Sequence, residues 1–121
     1  MAVNNLGFIG LDDKLLWKNK KDLIHFKNLT DGSKLLVGYN TAQSLPKLSN
    51  RTLIVYDRMN LSPLVYYEAD WCIGGKKTYE IFCDSFTELH ISHIDNNDIG
   101  NVCFPDLTNL NPSCKIFNYY F

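Results

Sequence analysis

The chain has 121 residues and a mass of 13.9 kDa, under the ~150 residues usual for one domain, so residues 1–121 read as one domain and two full domains do not fit. A 45% hydrophobic and 13% aromatic content can fill a core and argues against disorder. Twelve basic against thirteen acidic side chains leave a net charge of −1, which argues against nucleic acid or an anionic membrane as partner. No apolar run approaches the ~20 residues of a membrane span. The opening MAVNNLGFIG lacks a basic and then apolar leader pattern, so the expected location is the cytoplasm.

In chain order, the first helix signal runs from Asp22 to Leu29, where Leu23, Ile24, Phe26 and Leu29 form an apolar face and Gly32 follows the end. LLVGY, from Leu35 to Tyr39, is a short apolar run after the Asp31-Gly32 turn and predicts a buried strand. A short helix over Thr41 to Leu45 is stopped by Pro46. RTLIVYD and WCIGG have the same character as LLVGY. Runs that are apolar throughout suit strands covered on both faces. Lys76 to Phe82 predicts another helix, LHISHI a half-polar strand, and CKIFNYYF an aromatic terminal one. Strands alternating with helices predict an α/β fold with a central mixed, mostly parallel sheet flanked by helices.

The cysteines at 72, 83, 103 and 114 form no C-x-x-C pair and read as small buried hydrophobes. His90 and His93, three apart on a strand, leave from opposite faces and do not suit a shared metal ion. His25 is expected on the solvent side of its helix, without a catalytic role. Two strand ends pass through glycine into a helix, LLVG into Tyr39-Asn40-Thr41 and WCIGG into Lys76-Lys77-Thr78. Such a junction either presents free backbone N–H groups to an anionic phosphate or lets two segments pack tightly, and either junction alone leaves both readings open.

Taken in order, GFIGLDDKLLWKNKKDLIHFKNLTDG, LLVGYNTAQSLP, SNRTLIVYD, WCIGGKKTYEIF, HISHID and VCFPD resemble dihydrofolate reductase over residues 2 to 106. The resemblance looks closest to the reductases of tailed phages, through K-K-D-L-x-x-F-K and Q-S-L-P. It implies NADPH-dependent reduction of 7,8-dihydrofolate to tetrahydrofolate, with hydride passing from the nicotinamide to C6 of the pterin and N5 protonated from water. Antifolates are implied as ligands. The alternatives are a folate- or nucleotide-binding structural subunit of a phage particle with little turnover, and a reductase of another pterin or a pyrimidine-like ring.

The resemblance also implies the residue roles. Asp22 would accept hydrogen bonds from the pterin, and Trp17 would position a water beside it. Leu23, Phe26 and Leu45 would wall the substrate, Ala2 and Ile73 would also contact it, and Ser92 would be linked through water to the pterin and Asp22. On a helix Asp22 and Phe26 share a face, so a charged tip and an aromatic wall can address one flat ligand. Arg51 would grip the glutamyl carboxylate, for which a planar guanidinium is better shaped than an ammonium. For the cofactor it implies Gly74 and Gly75 with Lys76, Lys77, Thr78 and Tyr79, then Asn40 and Thr41, Arg58, Ala2 and Ile73. Ile9, Gly10 and Leu15 would belong to a loop closing over the nicotinamide.

The chain departs from the family in its length. Three residues precede the Asn4-Asn5 turn where the family has a longer strand, the stretch from Asp57 to Trp71 is short for the usual helix, and CKIFNYYF suffices for one last strand. A trimmed fold is expected, monomeric or paired with a second copy through an exposed sheet edge. Leu16 replaces the family's usual proline, and Tyr39 stands where a basic residue often meets the 2′-phosphate.

Overall fold

The computed structural model describes residues 1–10, 16–59 and 63–121. Eight strands and three helices follow in chain order among them: β1 (Ala2–Asn4), β2 (Phe8–Gly10), α1 (Lys20–Thr30), β3 (Lys34–Gly38), α2 (Tyr39–Ser44), β4 (Thr52–Tyr56), β5 (Trp71–Cys72), α3 (Lys76–Phe82), β6 (Glu88–Ile94), β7 (Val102–Cys103) and β8 (Lys115–Tyr120). A 3₁₀ turn over Pro63–Glu68 occupies the stretch too short for a full helix.

The parallel strands form two three-stranded halves with no strand pairing between them among the described residues. One has the order β4-β3-β5, the other β1-β6-β8, and β2 and β7 make a separate antiparallel ribbon. β3 is the centre of the first half, with Leu35, Leu36 and Val37 almost wholly inaccessible. That is the two-sided burial its apolar run predicts. β4 does not share it. Its outer edge is unpaired among the described residues, and Leu53 and Val55 remain 38% and 37% exposed. The strand expected to be covered on both faces is therefore an edge strand. β5 likewise contracts to two half-buried residues.

Each half has its own apolar cluster. Val3, Leu89 and Ile91 pack with Met1, Ile9, Leu107 and Leu110. Leu36, Tyr66 and Phe82 pack with Ile54 and Tyr56, their rings meeting edge to face at 5.1, 5.3 and 5.9 Å for Tyr56–Tyr66, Tyr56–Phe82 and Tyr66–Phe82. Such ring pairs add about 1 kcal/mol each beyond area burial. The 3₁₀ turn supplies Tyr66, whose hydroxyl donates to the Asp57 carbonyl at 3.1 Å. Trp71 on β5 meets His90 on β6 at 5.0 Å between ring centres and so joins the two halves.

Asn4 fixes the turn after β1. Its side-chain oxygen accepts from the backbone of Leu6 and Phe8 at 3.1 and 3.0 Å, and its amide donates to the Asp98 carbonyl at 2.8 Å. It is 6% exposed, so these bonds satisfy a polar group that would otherwise be costly to bury. The cysteines are all free. Cys83 is buried and Cys72 and Cys114 are half-buried as small apolar residues, whereas Cys103 is exposed at the end of the β2–β7 ribbon, against expectation. No helix among the described residues is long and apolar enough to cross a membrane.

Candidate active site

A cleft of about 1650 Å³ runs along the sheet between α1, α2 and α3. α1 carries one wall. Asn19 is its N-cap, accepting the Asp22 N–H at 3.0 Å, so Asp22 sits in the first turn with its backbone fixed. Leu23 and Phe26 follow, and all three line the cleft with Trp17 and with Leu45 beyond α2. The indole N–H of Trp17 is buried without a hydrogen-bond partner among the described residues. Leaving such a donor unpaired costs about 1–3 kcal/mol, a cost removed by any acceptor placed in the cleft.

The opposite wall comes from β1 and β6. Their parallel register sets Ala2 beside Ser92, which is 5% exposed, and both line the cleft with Ile9 and Ile73. The negative charge of Asp22 is felt by groups on other elements as well as its own: the Met1 amino group just before β1, His25 on α1 and Tyr79 on α3. Burial holds the Met1 amino group below its ordinary value, and Asp22 pulls it back up. Burial first, then the neighbouring Cys72 and Asp22, push the Tyr79 phenol far up, so it is a neutral hydrogen-bonding group.

The two glycine junctions meet at the other end of the cleft. Gly38 N–H donates to the Gly74 carbonyl at 2.7 Å, tying the end of β3 to the turn after β5. The Gly74–Gly75 peptide is cis. A Cβ on Gly38 would come 2.5 Å from the Thr78 hydroxyl, and one on Gly74, at φ +104°, 3.0 Å from the Tyr79 ring. These two glycines serve packing. Gly75 also comes close to a threonine, the nearest atom to its missing Cβ being the Thr41 hydroxyl, at 2.8 Å. Gly75 and Thr41 thus face each other across a narrow gap between the starts of α3 and α2. Among the described residues no side chain caps either helix start, and the first-turn N–H groups have no intrahelical acceptor. Asn40, Arg58, Lys76, Lys77, Thr78 and Tyr79 line the same end.

A sequence profile of dihydrofolate reductase matches residues 1–113. The chain belongs to the dihydrofolate reductase family. Similar proteins include dihydrofolate reductase type 9 of Escherichia coli, 30% identical over 80% of this chain and 69% of that protein. Type 15, also of Escherichia coli, is 30% identical over 88% of this chain and 79% of its own length. Among solved structures, the dihydrofolate reductase of Enterococcus faecalis complexed with NADP(H) and RAB-propyl superimposes with a TM-score of 0.74, covering 88% of this chain and 75% of that one. At 24% identity that likeness speaks for the fold.

Of the residues the dihydrofolate reductase resemblance singles out, most gather in this one cleft. Arg51, Gly10 and Gly74 do not line it. Arg51 stands at the rim, its guanidinium 5.8 Å from the centre of the Phe26 ring, with Nε donating to the Ser49 carbonyl at 2.9 Å and Nη1 to the Thr30 hydroxyl at 3.2 Å. Gly10 is buried behind the wall, its carbonyl accepting from Asn101 N–H at 3.2 Å. Leu15 lies outside the described residues.

Two features of the site escape a reading of the dihydrofolate reductase motifs. His25 does not face solvent; its ring lies 4.1 Å from that of Tyr119 and 5.5 Å from that of Phe121, and it lines the cleft three residues after Asp22. The aromatic strand that covers this side of α1 comes from the far end of the chain, and a helix pattern alone cannot show it. Gly100 packs where a Cβ would collide with the Gly10 carbonyl and come 2.7 Å from Leu16. The approach of the 95–101 segment to β2 is the only signal for it.

Proposed function

We propose that this chain reduces 7,8-dihydrofolate to 5,6,7,8-tetrahydrofolate with NADPH as reductant. The observation that carries it is that Asp22, capped by Asn19, shares one cleft with the Gly75–Thr41 gap. A carboxylate wall for a pterin and an anion-suited wall for a dinucleotide thus face a common space. The cradle fits the cofactor: a side chain at Gly75 would fill it, and Arg58, Lys76 and Lys77 supply positive charge beside it. When bound, NADPH supplies the hydride that reduces C6 of the pterin.

The chain's own residues supply position and electrostatics. Asp22 accepts hydrogen bonds from pterin N3 and the 2-amino group and so orients the ring and polarises it. Phe26, Leu23 and Leu45 exclude water from its faces. Trp17 directs its unpaired N–H towards a water at the pterin, and Ser92 offers a hydroxyl from the buried β6 wall. Ala2, Ile9 and Ile73 line the space between the two rings, while Gly74, by binding Gly38, holds Gly75 against Thr41. Asn40, Thr78 and Tyr79 complete the cofactor wall. Arg51 receives the glutamyl carboxylate at the rim, two of its five N–H donors being engaged by Ser49 and Thr30. Gly10 closes β2 beside Asn101.

We also assign the whole of 1–121 to one domain working in the cytoplasm. β8 bonds to β6 alone among the described residues, and Ile116, Phe117 and Tyr120 on it are 54%, 39% and 77% exposed, so a homodimer would form by pairing β8 with its copy. Size exclusion with light scattering distinguishes monomer from dimer.

The test of function is a steady-state assay of NADPH oxidation with dihydrofolate. Saturable turnover blocked by a diaminopyrimidine antifolate is expected. Tight antifolate binding without turnover would overturn the enzymatic reading and leave a folate-binding protein.

A further inference from the structure

On the proposed reading a dinucleotide turns its nicotinamide half towards Ala2, Ile9 and Ile73 and its pyrophosphate towards the Gly75–Thr41 gap. Its adenosine half must then continue from that gap away from β1. In the order β4-β3-β5, β5 is the strand that meets the other half of the fold, through Trp71 and His90 at 5.0 Å between ring centres. The direction away from β1 therefore crosses the end of β3 and then that of β4. Parallel register sets Gly38 beside Tyr56 at those two ends. Tyr39 and Asp57 are the next residues on the two strands, and with Arg58 they line the cleft.

Charge at these strand ends decides which adenosine they suit. Tyr39 brings none, and at 55% exposure it offers a flat aromatic side chain of the kind on which a purine stacks. Asp57 and Arg58 cancel. Lys76 and Lys77 open α3, after β5, and belong to the pyrophosphate end. Asp57 Oδ1 accepts the Met59 N–H at 2.9 Å, which fixes the carboxylate at the end of β4 and, among the described residues, leaves Oδ2 for another donor. A carboxylate so placed accepts from a ribose hydroxyl and repels a phosphate ester of about two negative charges at the same spot.

We propose that the chain takes NADH as well as NADPH, and that Asp57 sets this breadth by accepting the ribose 2′-hydroxyl of NADH and opposing the 2′-phosphate of NADPH. This rests on the reading of the Gly75–Thr41 gap as the pyrophosphate cradle. The chemistry balances as before: the C4–H bond of NADH breaks, its hydride forms the new bond at pterin C6, N5 takes a proton from water, and NAD⁺ leaves. Both cofactors carry the same nicotinamide. They should share kcat within about twofold and differ in KM.

Isothermal titration calorimetry with NADPH and with NADH, on the full-length protein without folate, reads the inference apart from turnover. Dissociation constants within about tenfold of each other are expected, and a larger preference for NADPH overturns the proposal. Asp57→Asn keeps an oxygen for the Met59 N–H and removes the charge. It should widen the preference for NADPH at least about fivefold, the size of one charge contact screened by water, chiefly by tightening NADPH. Asp57→Ser, should the first variant fold poorly, is expected to shift the ratio in the same direction. A merely structural residue would move both affinities alike, so an unchanged ratio removes Asp57 from cofactor choice and overturns the proposal. If NADPH binds and NADH does not, the cradle stands and this inference falls. If neither binds, the cradle itself falls and takes the inference with it.

Discussion

The side-chain oxygen of Asn19 accepts the backbone N–H of Asp22 at 3.0 Å, so the residue that starts α1 also sets where the cleft's carboxylate begins. An N-cap of this kind contributes about 1 kcal/mol to stability. Asn19→Ala should therefore lower the Tm by about 4 °C. It should also raise the KM for dihydrofolate, because the first turn frays beneath Asp22. Asn19→Asp keeps the acceptor and should restore both. A KM unchanged in Asn19→Ala would mean that Phe26 and Leu29 alone orient the helix.

Asp22→Asn preserves volume and removes the charge. Turnover should fall at least ~100-fold, a loss of about 3 kcal/mol in transition-state stabilisation, while circular dichroism remains that of the wild type. Near-normal rates at neutral pH would remove Asp22 from the mechanism.

Local pattern made much of this fold legible. α1, β3 and α3 lie within about two residues of their sequence signals, because caps, glycines and apolar runs are written within a few positions of the elements they delimit. The roles of Asp22, Gly75 and Thr41 depended on the family resemblance, but their convergence in one cleft follows from parallel strands delivering successive helix starts to the same end of the sheet. What was not legible is long-range. RTLIVYD is as apolar as LLVGY, and only its place at the end of the order β4-β3-β5 decides that Leu53 and Val55 stay exposed. His25 turns inward because Tyr119 and Phe121, about ninety-five residues away in sequence, pack on it.

The cysteines separate by environment. Cys72 lines the cleft, and burial pushes its thiol up to about 11. Far below that value the thiolate fraction rises tenfold per pH unit, so Cys72 alkylation should climb about tenfold from pH 7 to 8 and again from 8 to 9. Exposed Cys103 should react first, by at least ~10-fold. Bound dihydrofolate and NADPH should protect Cys72 and leave Cys103 untouched. Mass spectrometry of the alkylated peptides checks all three, and equal rates would contradict the burial of Cys72.

Arg51 offers a test of substrate class. Its position over Phe26 at the rim, anchored by Ser49 and Thr30, leaves guanidinium donors for a carboxylate. Arg51→Leu should weaken dihydrofolate and glutamate-bearing antifolates by about 10- to 150-fold, the worth of a charge-assisted contact of roughly 1.5–3 kcal/mol. Small antifolates without the tail should bind within about twofold of wild type. Damage to the fold would weaken both classes alike, so equal losses in the two titrations would return Arg51 to a structural role.

Gly75→Ala separates the cofactor from the substrate. Gly75 has a negative φ of −82°, and among the described residues the only atom the new Cβ meets within 4 Å is the Thr41 hydroxyl, at 2.8 Å. A threonine hydroxyl can turn away about χ1, so the fold should survive with a Tm within a few degrees of wild type. The methyl group nonetheless occupies the gap between the starts of α2 and α3, and the rotated Thr41 no longer offers its hydroxyl there. NADPH affinity should fall at least ~10-fold, or about 1.4 kcal/mol. Dihydrofolate affinity, read by fluorescence quenching without cofactor, should stay within about twofold. Gly74→Ala is the contrasting variant, since φ +104° and the Tyr79 ring at 3.0 Å oppose any side chain, and it should lower stability itself. If Gly75→Ala bound NADPH as well as wild type, the Gly75–Thr41 gap would not be the pyrophosphate cradle, and the cofactor would have to enter the cleft elsewhere.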